Sequence, residues 1–123
     1  MILINQSQYN YMKQLQYAVT EQVAKNNPEG FTIDINTGET VSSGYAIAYK
    51  ETQNSFGTEG LMKAVNHAIE HAGYVGGWFN KENGKYYFDS IMIETDRDEA
   101  MRKGKEQEQI AIFHLDTFEE ITL

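Results

Sequence analysis

Cysteine is absent from the 123 residues. That single absence removes a disulfide framework, a thiolate zinc site and a cysteine nucleophile together, and makes a reducing compartment the expected setting. No apolar run approaches the ~18 residues that cross a bilayer. The opening Met1-Ile2-Leu3-Ile4 has neither the basic flank nor the longer apolar stretch of a secretion signal, so a cytoplasmic protein without membrane contact is expected. Positive charge is also scarce: ten Lys and Arg stand against eighteen Asp and Glu, for a net charge of −8. Polyphosphate is repelled by such a surface, because affinity for nucleic acid comes largely from cations displacing counterions. Direct nucleic-acid binding is therefore not expected. A basic protein partner is attracted instead, including one whose own task is to hold nucleic acid. The same charge also serves simply to keep a small chain dispersed. A glycine-rich phosphate loop is missing as well: Gly57-Thr58-Glu59-Gly60 carries an acid where a phosphate would sit, and no Lys-Ser or Lys-Thr follows. Neither a nucleotide nor any other cofactor is expected.

What is present suffices for a core. Apolar residues make up 41% of the chain and aromatic residues 12%, and this length fits one hydrophobic core. A single domain over 1–123 follows, with the first helical stretch, 1–28, as a separable appendage. From 7 to 26 the apolar residues Tyr9, Met12, Leu15, Val19 and Val23 recur at steps of three and four, which predicts an amphipathic helix that Pro28 and Gly30 stop. From Phe31 the period falls to two. Phe31, Ile33 and Ile35 share one face of a strand, and after the turn residues 36–39 a second strand over about 44–50 is expected to close an antiparallel hairpin with the first. A helix from Thr58 places Leu61, Val65, Ala68, Ile69 and Ala72 on one stripe, with Gly73 to end it. The segments 74–79 and 85–93 flank Asn83-Gly84, a hairpin reversal. Asp96 with Glu99 has the form of a capping box before a third helix, whose side carries only Ala100, Met101 and Gly104. Small residues there allow close approach to a sheet. Strands at 110–115 and 121–123 finish the chain. The order α-ββ-α-ββ-α-ββ predicts an α+β fold, an antiparallel sheet built from hairpins with helices packed on one face and the other partly open.

Few residues suggest chemistry. His67 and His71 stand four apart, a spacing that lets two imidazoles share a metal, yet both fall opposite the apolar stripe, where a solvated polar face accounts for them. No metal site is expected. Asp89 interrupts Tyr86-Tyr87-Phe88-Asp89-Ser90-Ile91. Facing the core it would be a carboxyl with a raised pKa, as acid–base enzymes use, whereas a bulge or an outward turn onto a backbone amide is the plainer account. Asp96, Asp98 and Glu99 favour a helix N-terminus, and the stretch lacks the glycine and distal glutamate of a calcium loop. Gly76-Gly77-Trp78-Phe79 reads either as a core tryptophan beside a bulge or as an exposed anchor for a partner. The eight tyrosines, among them Tyr45, Tyr49, Tyr74, Tyr86 and Tyr87 on adjacent strands, suit a protein-binding sheet face.

Through Lys50-Glu51-Thr52-Gln53-Asn54-Ser55-Phe56-Gly57, Val75-Gly76-Gly77-Trp78, Gly84-Lys85-Tyr86-Tyr87-Phe88-Asp89-Ser90 and Gln109-Ile110-Ala111-Ile112-Phe113, the chain from about residue 30 onward resembles small accessory proteins of bacterial phages, plasmids and integrative elements. The resemblance implies a role against host defences, of the anti-CRISPR or anti-restriction kind, and transfers no catalytic residue. The expected function is thus a binding protein rather than an enzyme: an acidic module that presents carboxylates where a nucleic-acid-handling enzyme expects phosphates. Half of its acids fall in the last thirty residues. Candidate contacts are Trp78, Tyr86, Glu94, Asp96, Asp98, Glu99, Glu106 and Glu108. Two other classes stay open: a small enzyme using Asp89 with a histidine or metal, and a self-associating structural module.

Overall fold

The computed structural model describes residues 4–123. The opening 1–3, on which the secretion-signal expectation rests, lies outside them. Helix α1 (Gln6–Asn26) starts at a reciprocal capping box: the Asn5 side chain accepts from the Gln8 amide at 2.8 Å, and the Gln8 side chain accepts from the Asn5 amide at 3.0 Å. There follow β1 (Gly30–Asp34), β2 (Tyr45–Ala48), a short 3-10 turn (Lys50–Thr52), α2 (Gly57–Glu70), β3 (Tyr74–Asn80), β4 (Lys85–Glu94), α3 (Arg97–Glu106), β5 (Ala111–His114) and β6 (Glu119–Thr122). The fold is α+β, with one six-stranded antiparallel sheet in the order β1-β3-β4-β2-β5-β6. No helix among the described residues is long and apolar enough to cross a membrane.

Side chains alternate along β4, and that alternation defines the two faces. Phe88 packs with Leu61, Ala64, Val65 and Ala68 of α2, while Met92 joins Tyr45, Ile47, Ile112 and Ile121 under Ala100 of α3. Both helices therefore cover the same face. Helix α3 lies close because Gly104 has no side chain; a Cβ there would stand 2.8 Å from Ile112 and 2.7 Å from Leu123. Tyr87, Asp89, Ile91 and Ile93 point the other way, where Ile91 packs with Ala46 and Leu115.

Two expectations are corrected by long-range packing. Strands β1 and β2 do not form a hairpin: β1 pairs with β3 along Phe31–Gly77 and Ile33–Val75, and β2 lies between β4 and β5. Gly77 favours this pairing, since a Cβ there would come within 2.2 Å of the Phe31 ring and 2.7 Å of the Tyr86 ring. The connection instead returns beside β1, where the Val41 amide donates to the Thr32 carbonyl at 2.8 Å, and then reaches β2 across the face opposite the helices, with Val41 packed against Ala46, Ile91 and Leu115. The second correction concerns α1. Leu15 and Val19, expected on its buried stripe, are exposed, and the buried positions are Gln16 and Thr20. Thr20 satisfies its hydroxyl by donating to the Gln16 carbonyl at 2.8 Å. Tyr17 and Ala24 supply the apolar contact with the α2 core.

Candidate functional site

The face left free of helices divides in two. One half is sealed by the Val41–Gly44 connection over Ala46, Ile91 and Leu115. In the other, the register sets Trp78 opposite Tyr87 and Gly76 opposite Asp89. The Trp78 and Tyr87 rings stack at 4.9 Å with 17° between their planes, and Trp78 keeps 45% of its surface in solvent. Phe56 meets Tyr87 edge-on at 5.6 Å and is itself 43% exposed, with the Lys85 ammonium 4.0 Å above its ring. Phe56 reaches this place because the chain, after the 3-10 turn, returns beside β4: the Phe88 amide donates to the Ser55 carbonyl and Phe56 bridges to Tyr87. Large aromatic side chains on a solvent-facing sheet are enriched where partners bind.

Asp89 is the chemical centre of this half. Asp89 turns to the face away from the helices, as the plainer reading has it, but strand β4 runs without a bulge there and no hydrogen bond from a backbone amide to the carboxylate is found among the described residues. Burial pushes the carboxyl up to about 6, and the Trp78 indole N–H beside it offsets only part of that shift. Asp89 joins no ion pair among the described residues. A mostly buried carboxylate without a counter-charge, set among exposed aromatics, is the feature of the molecule least explained by folding.

The acidic candidates lie elsewhere and are largely engaged within the chain. Glu94 binds the Lys103 ammonium at 2.5 Å. Asp96 caps α3 by accepting from the Glu99 amide at 2.9 Å, which bears out that part of the capping box. Glu99 and Glu106 both grip the Arg102 guanidinium, Glu99 at 2.8 Å, and the guanidinium holds the Glu99 carboxyl below the usual carboxylate range. Glu108, whose backbone takes a left-handed φ of 56°, reaches Lys50 at 3.3 Å. Asp98 is exposed in the first turn of α3 and makes no ion pair among the described residues. Tyr86 is separated from Trp78 by the sheet. It faces the helices, and its hydroxyl donates to the Asn27 carbonyl at 2.8 Å, with burial raising its pKa to about 12. The tyrosines accordingly do not form one surface: Tyr45 and Tyr86 face the helices, whereas Tyr74 and Tyr87 face away.

A second cluster was invisible to helical-wheel reasoning. His67 is not on a solvated face. Its side chain lies against the sheet, with Nδ1 2.7 Å from Ser90 Oγ, its ring stacked on His71 at 3.7 Å and the Tyr49 ring 4.7 Å away. Nε2 is buried without a hydrogen-bond partner, and the Glu51 carboxylate is 3.9 Å from it. Burial first, and then His71, lower the His67 pKa. Ser90 is fully buried, which denies it to any substrate as a nucleophile. The sheet also stands between His67 and Asp89, since Ser90 and Asp89 are consecutive and point to opposite faces. His114 is engaged separately, stacked on Tyr45 at 4.2 Å and 3.2 Å from Asp116. Among the described residues no group of three His, Asp or Glu is arranged to hold a metal ion.

No family model, curated protein or solved structure matches the chain.

Proposed function

We propose that this protein is a small binding module that docks a basic protein partner on the open half of its sheet, around Trp78, Tyr87 and Phe56. The observation that carries the reading is the uncompensated Asp89 carboxylate among those exposed rings. The net charge of −8 supplies the complementary field that draws such a partner in. A second copy of the chain is disfavoured as the occupant by the same charge. Proteins that handle nucleic acid are rich in exposed cations and are the partner class this chemistry fits, which keeps an inhibitory role against a host enzyme of that kind within the proposal. Broad phosphate mimicry by α3 is the weaker version, because Glu94, Glu99 and Glu106 already hold Lys103 and Arg102.

Affinity capture from a bacterial lysate, with wild type and Trp78→Ala side by side, tests the reading. Basic proteins retained by wild type should be lost from Trp78→Ala, and their retention should fall as salt rises from about 0.05 M to about 0.5 M. Equal retention by both forms refutes the assignment of the face. Sedimentation of wild type as a dimer that Trp78→Ala converts to a monomer identifies a second copy as the occupant and refutes the basic partner.

A further inference from the structure

We infer that Trp78, Tyr87 and Asp89 together form a receptor for one arginine side chain of that partner. This deepens the docking proposal and rests on it. The register places the three groups within one patch: Trp78 and Tyr87 are cross-strand neighbours, and Asp89 is the next residue along β4 on the same face. Stacked nearly parallel, the two rings offer a flat π surface with Trp78 facing solvent. A guanidinium is planar, sheds water more readily than an ammonium, lies flat on indole and presents paired N–H donors to a carboxylate. A lysine offers only a point charge, and its strongly hydrated ammonium pairs poorly with a carboxylate already withdrawn from water.

The position opposite Asp89 strengthens the case. Gly76 stands there on β3 with Thr32 beyond it on β1, so neither strand sets a cation opposite the carboxylate. The other titratable groups on this half of the face are Lys85 and Tyr87 on β4, Tyr74 on β3 and Asp34 on β1; Lys85, the one cation among them, lies over the Phe56 ring and makes no ion pair with Asp89 among the described residues. The nearest aromatic–cation pairing, Lys85 on Phe56, shows that the neighbouring ring already takes a positive side chain from this chain. Trp78 has no such partner among the described residues. Within this patch, then, the indole and the carboxylate are what the chain's own cations leave free.

The test uses two defined probes, a capped hexa-arginine peptide and its hexa-lysine counterpart. Trp78 is the sole tryptophan, so intrinsic fluorescence reports on this face alone. Hexa-arginine should change the Trp78 emission and bind at least about tenfold tighter than hexa-lysine. Asp89→Asn should reduce hexa-arginine affinity by about tenfold or more. In wild type the affinity should decline as pH falls through about 6, where Asp89 takes up a proton, and Asp89→Asn should lose that dependence. Trp78→Phe, read by calorimetry, should weaken binding while keeping the pH dependence. Equal affinity of Asp89→Asn and wild type overturns the receptor. So does equal affinity for the two peptides, or no binding of either. In each of those cases, continued loss of captured proteins with Trp78→Ala leaves the docking face standing, so the two proposals fail separately.

Discussion

Replacing Asp89 by asparagine should make the protein more stable at neutral pH, and the size of the gain follows from the environment of the carboxyl. Its pKa rises from 3.8 to about 6 on folding. At about 1.4 kcal/mol per unit, holding the charged form in place costs the folded state about 3 kcal/mol at pH 7. Asparagine removes the charge and retains the shape but still needs hydrogen-bond partners, so a gain on the order of 2 kcal/mol is expected. For 123 residues that is a rise of roughly 6–10 °C in melting temperature. The sign of the pH dependence is fixed. The folded protein holds the Asp89 proton up to about pH 6, and the unfolded chain releases it near 3.8. The stability Asp89 confers is therefore complete below the lower value and is lost as pH rises through the upper one. The gap between variant and wild type should be near zero below about pH 4 and full above about pH 7. His67 acts in the opposite direction: its lowered pKa makes folding oppose protonation, so its contribution is lost as pH falls through the ordinary histidine range. The two slopes overlap in wild type, which is why the difference between the two proteins, measured by urea unfolding at several pH values, is the informative quantity. A pH-independent difference, or an Asp89→Asn protein less stable than wild type at about pH 7.5, would refute the claim that this carboxylate lacks compensation.

Two further outcomes probe the frame that holds the site. Gly77→Ala should destabilise by about 2–4 kcal/mol in urea unfolding, because its Cβ would stand 2.2 Å from the Phe31 ring and the β1–β3 register allows no sideways escape. A loss under about 0.5 kcal/mol would mean the close approach does not hold β1 in place. Ser90→Ala leaves His67 Nδ1 without its partner at 2.7 Å and should cost about 1–2 kcal/mol, with the His67 pKa, followed by NMR, remaining below the usual histidine value because burial is its main cause.

Local rules made much of this fold legible. Asn83-Gly84 marked the β3–β4 hairpin, Asp96 the start of α3, and Gly104 the close approach of that helix to the sheet. The rest depends on contacts distant in sequence. Nothing between Phe31 and Tyr49 states that β1 pairs with β3; the deciding feature is the bare backbone of Gly77, over forty residues away, where the Phe31 ring rests. Helix α1 misleads for a related reason. Its apolar stripe was counted through Leu15 and Val19, but Gln16 and Thr20 are the residues enclosed, with Thr20 bonded back to its own helix and Gln16 reaching Asn36 at 3.4 Å. His67, expected opposite the apolar stripe of α2, instead reaches the sheet, where its Nδ1 meets the buried Ser90 hydroxyl at 2.7 Å. For the site, the sequence left Trp78 open between a core residue beside a bulge and an exposed anchor, and its exposure favours the second, while Asp89 was legible as an anomaly whose meaning needed the face it occupies. The acidic residues around α3 were counted correctly, yet a count of charges cannot see that Arg102 pairs with Glu99 and Glu106 and Lys103 with Glu94.

The two halves of the open face also bear on how a partner would sit. The Val41–Gly44 connection covers one half, its backbone tied to β1 through Val41 and Thr32 and the Val41 side chain packed against Ala46, Ile91 and Leu115. The sheet thus already accepts a strip of polypeptide on this face. What differs across the boundary is the chemistry beneath: aliphatic side chains under the connection, stacked rings and a carboxylate beyond it. An aliphatic partner segment would desolvate Asp89 without pairing it, at a cost of several kcal/mol. A segment carrying a planar cation would satisfy the carboxylate and use the rings at once. Under the docking proposal, selectivity for such a partner would arise chiefly from the penalty imposed on every neutral one, which the solvent-screened acids of α3 cannot impose.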